Sequence, residues 1–466
     1  MALISGQLNT QTWQTRLQNA DDDRLRTIAR AWDYYEGRHP PPLAVRPGMP
    51  DDNVIVNLAR PVVDKGISLL FGKETTWQID ETAATESNAE QFLTNVWTAN
   101  DRMVLLHEVA QNGALAGLSA IKVVPRMGDK QRPYRLVNLD PSNLSIDCDD
   151  EDIDDIERYV VQYTCKDQQG KELVKRQEIT AVEDVNDRAL AWSIQNYEAR
   201  GNDKYFRPVG ESIIWPYSLP PIVHCKNLPC ANAVWGYGDL EDVRLNDALN
   251  LIASSTRKIL RLHSSPQTLA KGFDPSLLRR DANQIWGIPE GGDLANLEMQ
   301  SDLTAAREFY LQLRSAFYAM GRMPDVSQIG NLGALTNFGL RVLFADALER
   351  TATKRLMYGG LIVRLNRLLC LIDGRGENVT TKLTWPDPLP VNGQELVTTV
   401  AAEQKTGLVS DETLSGKLGY SYVDERKRLL DERAKKAAMM PAPAAAPVPL
   451  GGNSDMTQQG TQGAVQ

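Results

Sequence analysis

Histidine and cysteine are scarce in this sequence, four and five residues among 466. The cysteines (Cys148, Cys165, Cys225, Cys230 and Cys370) are odd in number and widely scattered. In a long chain that pattern is not a disulfide framework, and it predicts a reducing compartment. Cys225 and Cys230 do not have zinc-ribbon spacing, and the few histidines add little, so no structural metal and no cofactor is expected. Long apolar runs are also missing. The most apolar late stretch, Leu361 to Ile372, is interrupted by Arg364 and Arg367, so no membrane span or membrane partner is expected. The first residues, Met-Ala-Leu-Ile-Ser-Gly-Gln, lack the basic start and apolar core of a targeting segment. Basic charge is not in excess either: 51 Lys and Arg against 60 Asp and Glu leave a net charge of -9. A surface that coats nucleic acid would normally be basic. DNA passing near the protein without tight binding is not excluded.

Catalytic patterns come close and fail. Gly66-Ile-Ser-Leu-Leu-Phe-Gly72-Lys73-Glu74 resembles a phosphate-binding loop, but it has one residue too many between the glycines. Glu74 stands where a magnesium-binding hydroxyl is required, and the spacer is apolar and helical. His107-Glu108-Val-Ala-Gln111 has glutamine in place of the second histidine of a zinc protease. Ser255-Thr-Arg-Lys258 matches a short nucleophile pattern but lies in mid-helix without its partner motifs. There is no Gly-x-Ser-x-Gly, and no acidic pair has a context suited to general acid–base work. No catalytic residue is assigned, and the chain reads as a non-enzyme.

What is present is an ordinary globular composition, 42% apolar and 24% charged, in a chain long enough for two to four compact units. Residues 1 to 38 read as a helix, with Leu17, Leu25, Ile28, Ala29 and Trp32 at roughly helical spacing, followed by the breaker Pro40-Pro41-Pro42. Asn57 to Gly72 forms a second helix with Val62, Val63, Ile67, Leu70 and Phe71 on its apolar face. A third helix spans about Glu86 to Gly117 and ends in small residues that permit close packing. From Ser119 the period changes to strands: Ala120–Val124, Arg135–Leu139, Glu157–Thr164, Leu190–Tyr197 and Ile213–Tyr217. Eight carboxylates crowd Asp147 to Glu157. The run lacks the glycine of a calcium loop, which favours a solvated turn between strands.

The centre of the chain is the most informative part. A helix from Asp239 to His263 has Leu245, Ala248, Leu249, Ile252, Ile259 and Leu260 as its apolar set. Its acidic start and basic end (Arg257, Lys258, Arg261) complement the helix dipole. At 1.5 Å per residue it would span about 37 Å. An insertion punctuated by Pro and Gly, about Ser265 to Gln300, precedes a second helix from Asp302 to Gly321. A loop from Asp325 to Thr336 leads to a helix from Asn337 to Ile372, with a bend expected at Gly359-Gly360. After a strand at Thr381–Trp385 and Pro386-Asp-Pro-Leu-Pro390, small helices occupy about Gly393 to Lys436. There Val423, Leu430 and Ala437 stand at heptad spacing. From Met440 onward composition alone predicts a disordered tail. The fold class is α+β, mainly helical.

Several motifs in order resemble the portal proteins of tailed bacteriophages. Trp32-Asp-Tyr-Tyr-Glu-Gly-Arg-His39 precedes the helix Asn57–Gly72 and its exit Lys73-Glu74-Thr75. Leu139-Asp-Pro-Ser-Asn143 leads through the acidic turn to Arg158-Tyr-Val. Gly236-Tyr-Gly-Asp-Leu-Glu-Asp242 opens the long central helix. Thr406-Gly-Leu-Val-Ser-Asp-Glu-Thr413 leads to Leu418-Gly-Tyr and a charged helix. Together they cover about residues 30 to 436.

The resemblance implies a ring, usually of twelve subunits, at one capsid vertex, through which double-stranded DNA is packaged, retained and ejected. It implies an N-terminal wing (1–235), stem helices (236–264 and 301–324), a clip (265–300) and a tunnel loop (325–336). A long wing helix and returning strand (337–391), a crown (392–440) and a disordered tail (441–466) complete the layout. The tunnel loop would present Asp325, Gln328, Gly330, Asn331, Gly333 and Thr336 to non-specifically bound DNA, although it lacks the Ser-Gly pair often found near this point. The clip, with Lys271, Asp274, Arg279, Arg280 and Trp286, would dock the terminase large subunit and later the head-completion or adaptor protein. Major capsid and scaffolding proteins are the other implied partners. The location is the virion portal vertex, after assembly in the host cytoplasm. Arg257, Lys258 and Arg261 are either dipole-complementing surface charges or a basic ring touching DNA. The competing functions are a DNA-packaging or DNA-processing ATPase, which would need a phosphate loop, and a capsid scaffolding protein without a channel.

Overall fold

A computed structural model describes residues 10–79, 88–126, 128–129, 132–149, 151–183, 190–200, 205–240, 243–264, 268–272, 291–296, 303–328, 336–376, 379–389, 393–418, 420 and 422–439. The chain divides into two units, residues 1–390 and 391–466. The fold class is α+β, with helices beside antiparallel sheets.

In the first unit, α1 (Thr10–Tyr35) is followed by α2 (Ala59–Phe71), β1 (Thr76–Ile79), α3 (Ala89–Ala99) and α4 (Arg102–Ala116). The five apolar residues expected on α2 are all buried. From Asp22 to Tyr35 of α1, Ile28, Ala31 and Tyr34 are buried and Trp32 packs against the core, while Leu25 and Ala29 of the expected face are exposed; the side chain of Leu17 lies outside the described residues. The single helix expected from Glu86 to Gly117 is broken in two. Asp101 takes a left-handed conformation (φ 51°). Asn100 makes the break useful: its side chain donates to the Tyr134 carbonyl at 2.9 Å and accepts from the Leu136 amide at 3.0 Å. An asparagine that bonds backbone groups outside the helix competes with helix continuation.

Strands β2 (Leu118–Pro125), β3 (Tyr134–Leu139) and β9 (Ile222–Lys226) form one sheet, ordered β3-β2-β9. Strands β4 (Leu144–Cys148), β5 (Ile156–Lys166), β6 (Glu172–Glu183), β7 (Leu190–Arg200) and β8 (Arg207–Trp215) form a second sheet in sequence order. The acidic run is a turn between β4 and β5, in which the Asp149 amide donates to the Asp155 carbonyl at 2.9 Å.

Helix α5 (Arg244–Ser264), the antiparallel pair β10 (Thr268–Lys271) and β11 (Asp293–Asn296), and α6 (Leu303–Met320) come next. Then α7 (Asn337–Leu343) and α8 (Ala345–Ile372) lead to β12 (Thr381–Thr384), which pairs with β1. The helix expected to run unbroken from Asn337 to Ile372 is interrupted at Phe344, whose ring is buried beside Val62, Leu249, Phe317 and Ala347. Burying that ring sets where α8 begins. The helix passes through Gly359 and Gly360, where a bend was expected, without interruption. Leu361, Ile362, Leu365, Leu368 and Leu369 of α8 enter the main core with Phe71, Trp97, Leu106, Val109, Leu118 and Ile121.

The second unit contains α9 (Gly393–Thr406), α10 (Asp411–Lys417) and α11 (Tyr422–Met439). Ser410 caps α10 by accepting from the Thr413 amide at 3.3 Å, which satisfies one of the free N–H groups of the first turn. Val400 and Leu414 are buried, whereas Leu430 of the expected heptad stripe is exposed. The side chains of Val423 and Ala437, and the tail from Met440, lie outside the described residues.

Candidate functional site

Helices α5 and α6 pack beside one another and are joined through the segment that carries β10 and β11. They meet α2 and α8 in a small apolar cluster of Leu58, Val62, Leu249, Phe317, Met323, Phe344 and Ala347. Helix α5 begins at Arg244, five residues later than the sequence predicted. Asp239, expected to start that helix and complement its dipole, lies ahead of it. It is buried, with Lys354 Nζ at 2.6 Å from Oδ2 and Arg350 Nη2 at 3.3 Å from Oδ1. Asn227 Nδ2 also donates to Oδ1 at 2.9 Å. Burial alone would raise the Asp239 pKa, but Lys354 and Arg350 outweigh it, so the carboxyl is held below its usual range.

Arg350 reaches the segments that precede α5 and follow α6. Its Nη1 donates to the Gly321 carbonyl just past α6 at 2.8 Å, and its Nη2 to the Gly238 carbonyl before α5 at 3.3 Å. Arg350 and Lys354 stand one turn apart on α8, so that helix clamps the entry to α5 and the exit from α6 together. Sequence reasoning missed this clamp. The only signal was a pair of cations, four residues apart, on a face of α8 shared with apolar residues.

The approach to the clamp depends on close backbone contact. Gly117 ends α4 at φ +79°, and a Cβ there would lie 2.2 Å from the Gly236 carbonyl oxygen. The Asp239 amide donates to the Ala114 carbonyl at 2.6 Å, so the Gly236-Tyr-Gly-Asp segment satisfies the free end of α4. The Trp32–His39 motif is similarly structural. Tyr34 donates to Asp247 of α5, Tyr35 donates to Asp64 of α2 at 2.8 Å, and the His39 ring meets Tyr34 edge-on at 4.7 Å. Burial pushes the His39 pKa down.

The expected site residues fall in several places. Arg261 makes two bonds to the buried Asp52, at 2.8 and 2.7 Å, and Arg257 donates to the Asn53 carbonyl at 3.1 Å. Lys258 is exposed. Asp325 is not an open acid at the start of the loop: its Oδ1 accepts from Arg314 at 3.1 Å and from the Ser327 hydroxyl at 2.6 Å. Gln328 ends a 3-10 turn from Val326. Thr336 caps α7 by accepting from the Gly339 amide at 3.1 Å. Lys271 is exposed on β10. Gly330, Asn331, Gly333, Asp274, Arg279, Arg280 and Trp286 lie outside the described residues.

The near-miss motifs are occupied by packing. Lys73 donates to the carbonyls of Asp387 (2.6 Å) and Leu389 (3.1 Å), and His107 Nε2 meets the Phe71 carbonyl at 3.1 Å. A cleft of about 530 Å³ is lined by Tyr159, Trp192, His224, Lys226 and Arg364, among others. Within it, burial pushes the His224 pKa down to about 4, and the charges of Arg364 and Lys226 add to the shift. Among the described residues, no group of three or more His, Cys, Asp or Glu is placed to hold a metal ion, and no helix is long and apolar enough to cross a membrane.

Compared with known protein families, residues 14–438 match the family described as "Phage portal protein, SPP1 Gp6-like". The chain belongs to this family of phage portal proteins. As a portal protein it forms the channel at one capsid vertex through which the genome is packaged, retained and ejected, and the family is structural, not enzymatic. No match is found among curated proteins. Among solved structures, the chain is similar to the neck of a native GTA particle computed with C12 symmetry, at 14% identity and a TM-score of 0.43, over 78% of this chain and 90% of that one. It is similar to the neck of an empty GTA particle computed with C6 symmetry at 13% identity and a TM-score of 0.42, over 78% and 90%. The virion of a native gene transfer agent particle gives 14% identity and a TM-score of 0.42, over 78% and 89%.

Proposed function

We propose that α5 and α6 are the stem that lines the portal channel. Segment 265–300 is the clip, residues 325–336 are the tunnel loop, residues 1–235 and 337–391 make the wing, and 392–440 form the crown. The observation that carries this reading is the clamp of Arg350 and Lys354, which holds the entry to α5 and the exit from α6 at one end of the pair. A channel wall that must stay open while DNA slides needs its helices fixed to the body of the subunit. Tight phosphate contacts would instead add affinity and therefore drag.

Twelve copies close into a ring through heterologous contacts, which close only if the rotation between neighbours divides a full turn. The clip docks the terminase large subunit and, after packaging, the head-completion or adaptor protein. Major capsid and scaffolding proteins hold the ring at its vertex in the virion, and assembly takes place in the host cytoplasm. Shortening Gly330–Ala334 tests the loop assignment. Rings should remain intact while DNA retention or packaging falls; unchanged packaging would place the constriction elsewhere.

A further inference from the structure

The buried face of α5 is partly polar: Leu249 of the expected apolar stripe is buried, but three polar residues share that face with it. Asn246, Asn250 and Ser254 are essentially inaccessible to solvent, whereas Leu251 and Leu260 are exposed. The three polar residues are four apart and meet alternate amides of segment 54–58. The Val54 amide donates to Ser254 Oγ at 2.9 Å, the Val56 amide to Asn250 Oδ1 at 2.8 Å, and the Leu58 amide to Asn246 Oδ1 at 3.0 Å. Asn246 Nδ2 returns a bond to the Val56 carbonyl at 2.9 Å. Further along α5, Arg257 takes the Asn53 carbonyl and Arg261 the Asp52 carboxylate.

The rungs match because the two repeats are nearly equal. Four residues of helix rise about 6 Å, and two residues of extended chain about 6.6 Å. Apolar packing is non-directional and tolerates small slides and rotations of a helix. A ladder of directed hydrogen bonds resists them, because a displacement of part of a rung strains all three bonds at once.

We propose that Asn246, Asn250 and Ser254 are positioning residues for the channel: their ladder fixes the height and rotation of α5. Arg257 and Arg261 belong to this ladder and are not a DNA-contacting ring. The proposal rests on the reading of α5 as channel wall. Among the described residues no strand pairs with segment 54–58, whose amides meet α5 side chains that would otherwise be costly to bury, although Asn250 Nδ2 is left without a partner.

The test uses the full-length protein and reads hydrogen exchange, ring formation and DNA packaging in Asn250→Leu and Ser254→Ala. Exchange at the Val56 and Val54 amides, respectively, should accelerate by up to roughly tenfold, the scale of one net hydrogen bond. Rings should still form, and packaging should fall. Should Asn250→Leu fail to assemble, Ser254→Ala decides. A cycle of Asp52→Ala, Arg261→Ala and the double variant then separates ladder from DNA contact. If the pair acts in the ladder, each single variant should lower packaging about as far as the double. Full packaging in Asp52→Ala with a loss confined to Arg261→Ala would overturn the assignment of Arg261. Faster amide exchange with unchanged packaging would overturn the positioning role. Failure of the channel assignment is read separately, from a ring image in which α5 lies away from the central hole.

Discussion

Asp239 balances two cations that approach it from one face of α8, with Asn227 completing its shell. Removing one member of a buried ionic group leaves the rest uncompensated, which costs about 3–5 kcal/mol. Asp239→Ala should lower stability to denaturant by about that amount, and Asp239→Leu combined with Lys354→Met should recover part of it. A loss below about 1 kcal/mol would mean that the carboxylate is not the counterion of the clamp. Because the Asp239 pKa is held down by Lys354 and Arg350, its contribution is present above the unfolded carboxylate value and is lost as pH falls through the folded one. His224 gives a second pH signature. Its folded pKa of about 4 lies below the ordinary histidine value of 6.5, because burial foremost, then Arg364 and Lys226, disfavour the imidazolium. The unfolded chain therefore binds the extra proton between those limits, so stability is full above pH 6.5 and falls as the pH drops to 4. The shift corresponds to about 3 kcal/mol. Denaturant titrations at neutral pH and near pH 4.5 should show a larger acid loss for the natural protein than for His224→Gln, and equal losses would contradict the assignment.

At the scale of elements, apolar period decided what could be read in advance. Helix α2, with Val62, Val63, Ile67, Leu70 and Phe71, and strands β2, β3, β5 and β7 follow their patterns because their buried faces are apolar. Helix α5 follows its pattern only in part: Leu249 is buried, but Asn246, Asn250 and Ser254 share its buried face, and no hydrophobicity scale ranks them as core. The break between α3 and α4 was also hidden. No Gly or Pro marks it, and Asn100 earns its place only through a partner strand distant in sequence. The interruption at Phe344 is of the same kind, set by a ring buried among α2, α5 and α6. Phe344→Ala should cost about 3–5 kcal/mol. It should also raise amide exchange in α7 and the first turn of α8 more than around Leu361 to Leu369, which lie in the main core. Uniform exchange along α8 would mean that Phe344 does not set the junction.

For the molecule as a whole, the order of motifs carried more than any single one. Trp32–His39 and Gly236–Asp239 knit helices together: Tyr34 reaches α5, Tyr35 reaches α2, and the Gly236 turn closes on α4 and delivers Asp239 to α8. The Arg350 clamp was not legible, because its acceptors are the carbonyls of Gly238 and Gly321, which have no signature in sequence. Among the expected site residues, Arg261 and Asp325 turned out to be engaged inside the subunit, by Asp52 and Arg314. The central claim is that α5 and α6, clamped by α8, form the wall of a closed channel. Single-particle imaging of the assembled protein, at a resolution that places helices, tests it most directly. The account predicts a closed ring with α5 and α6 around a central hole wide enough for duplex DNA and Arg350 at the junction of stem and wing. Open polymers, or rings whose hole is lined by the five-stranded sheet while α5 and α6 face outward, would contradict it.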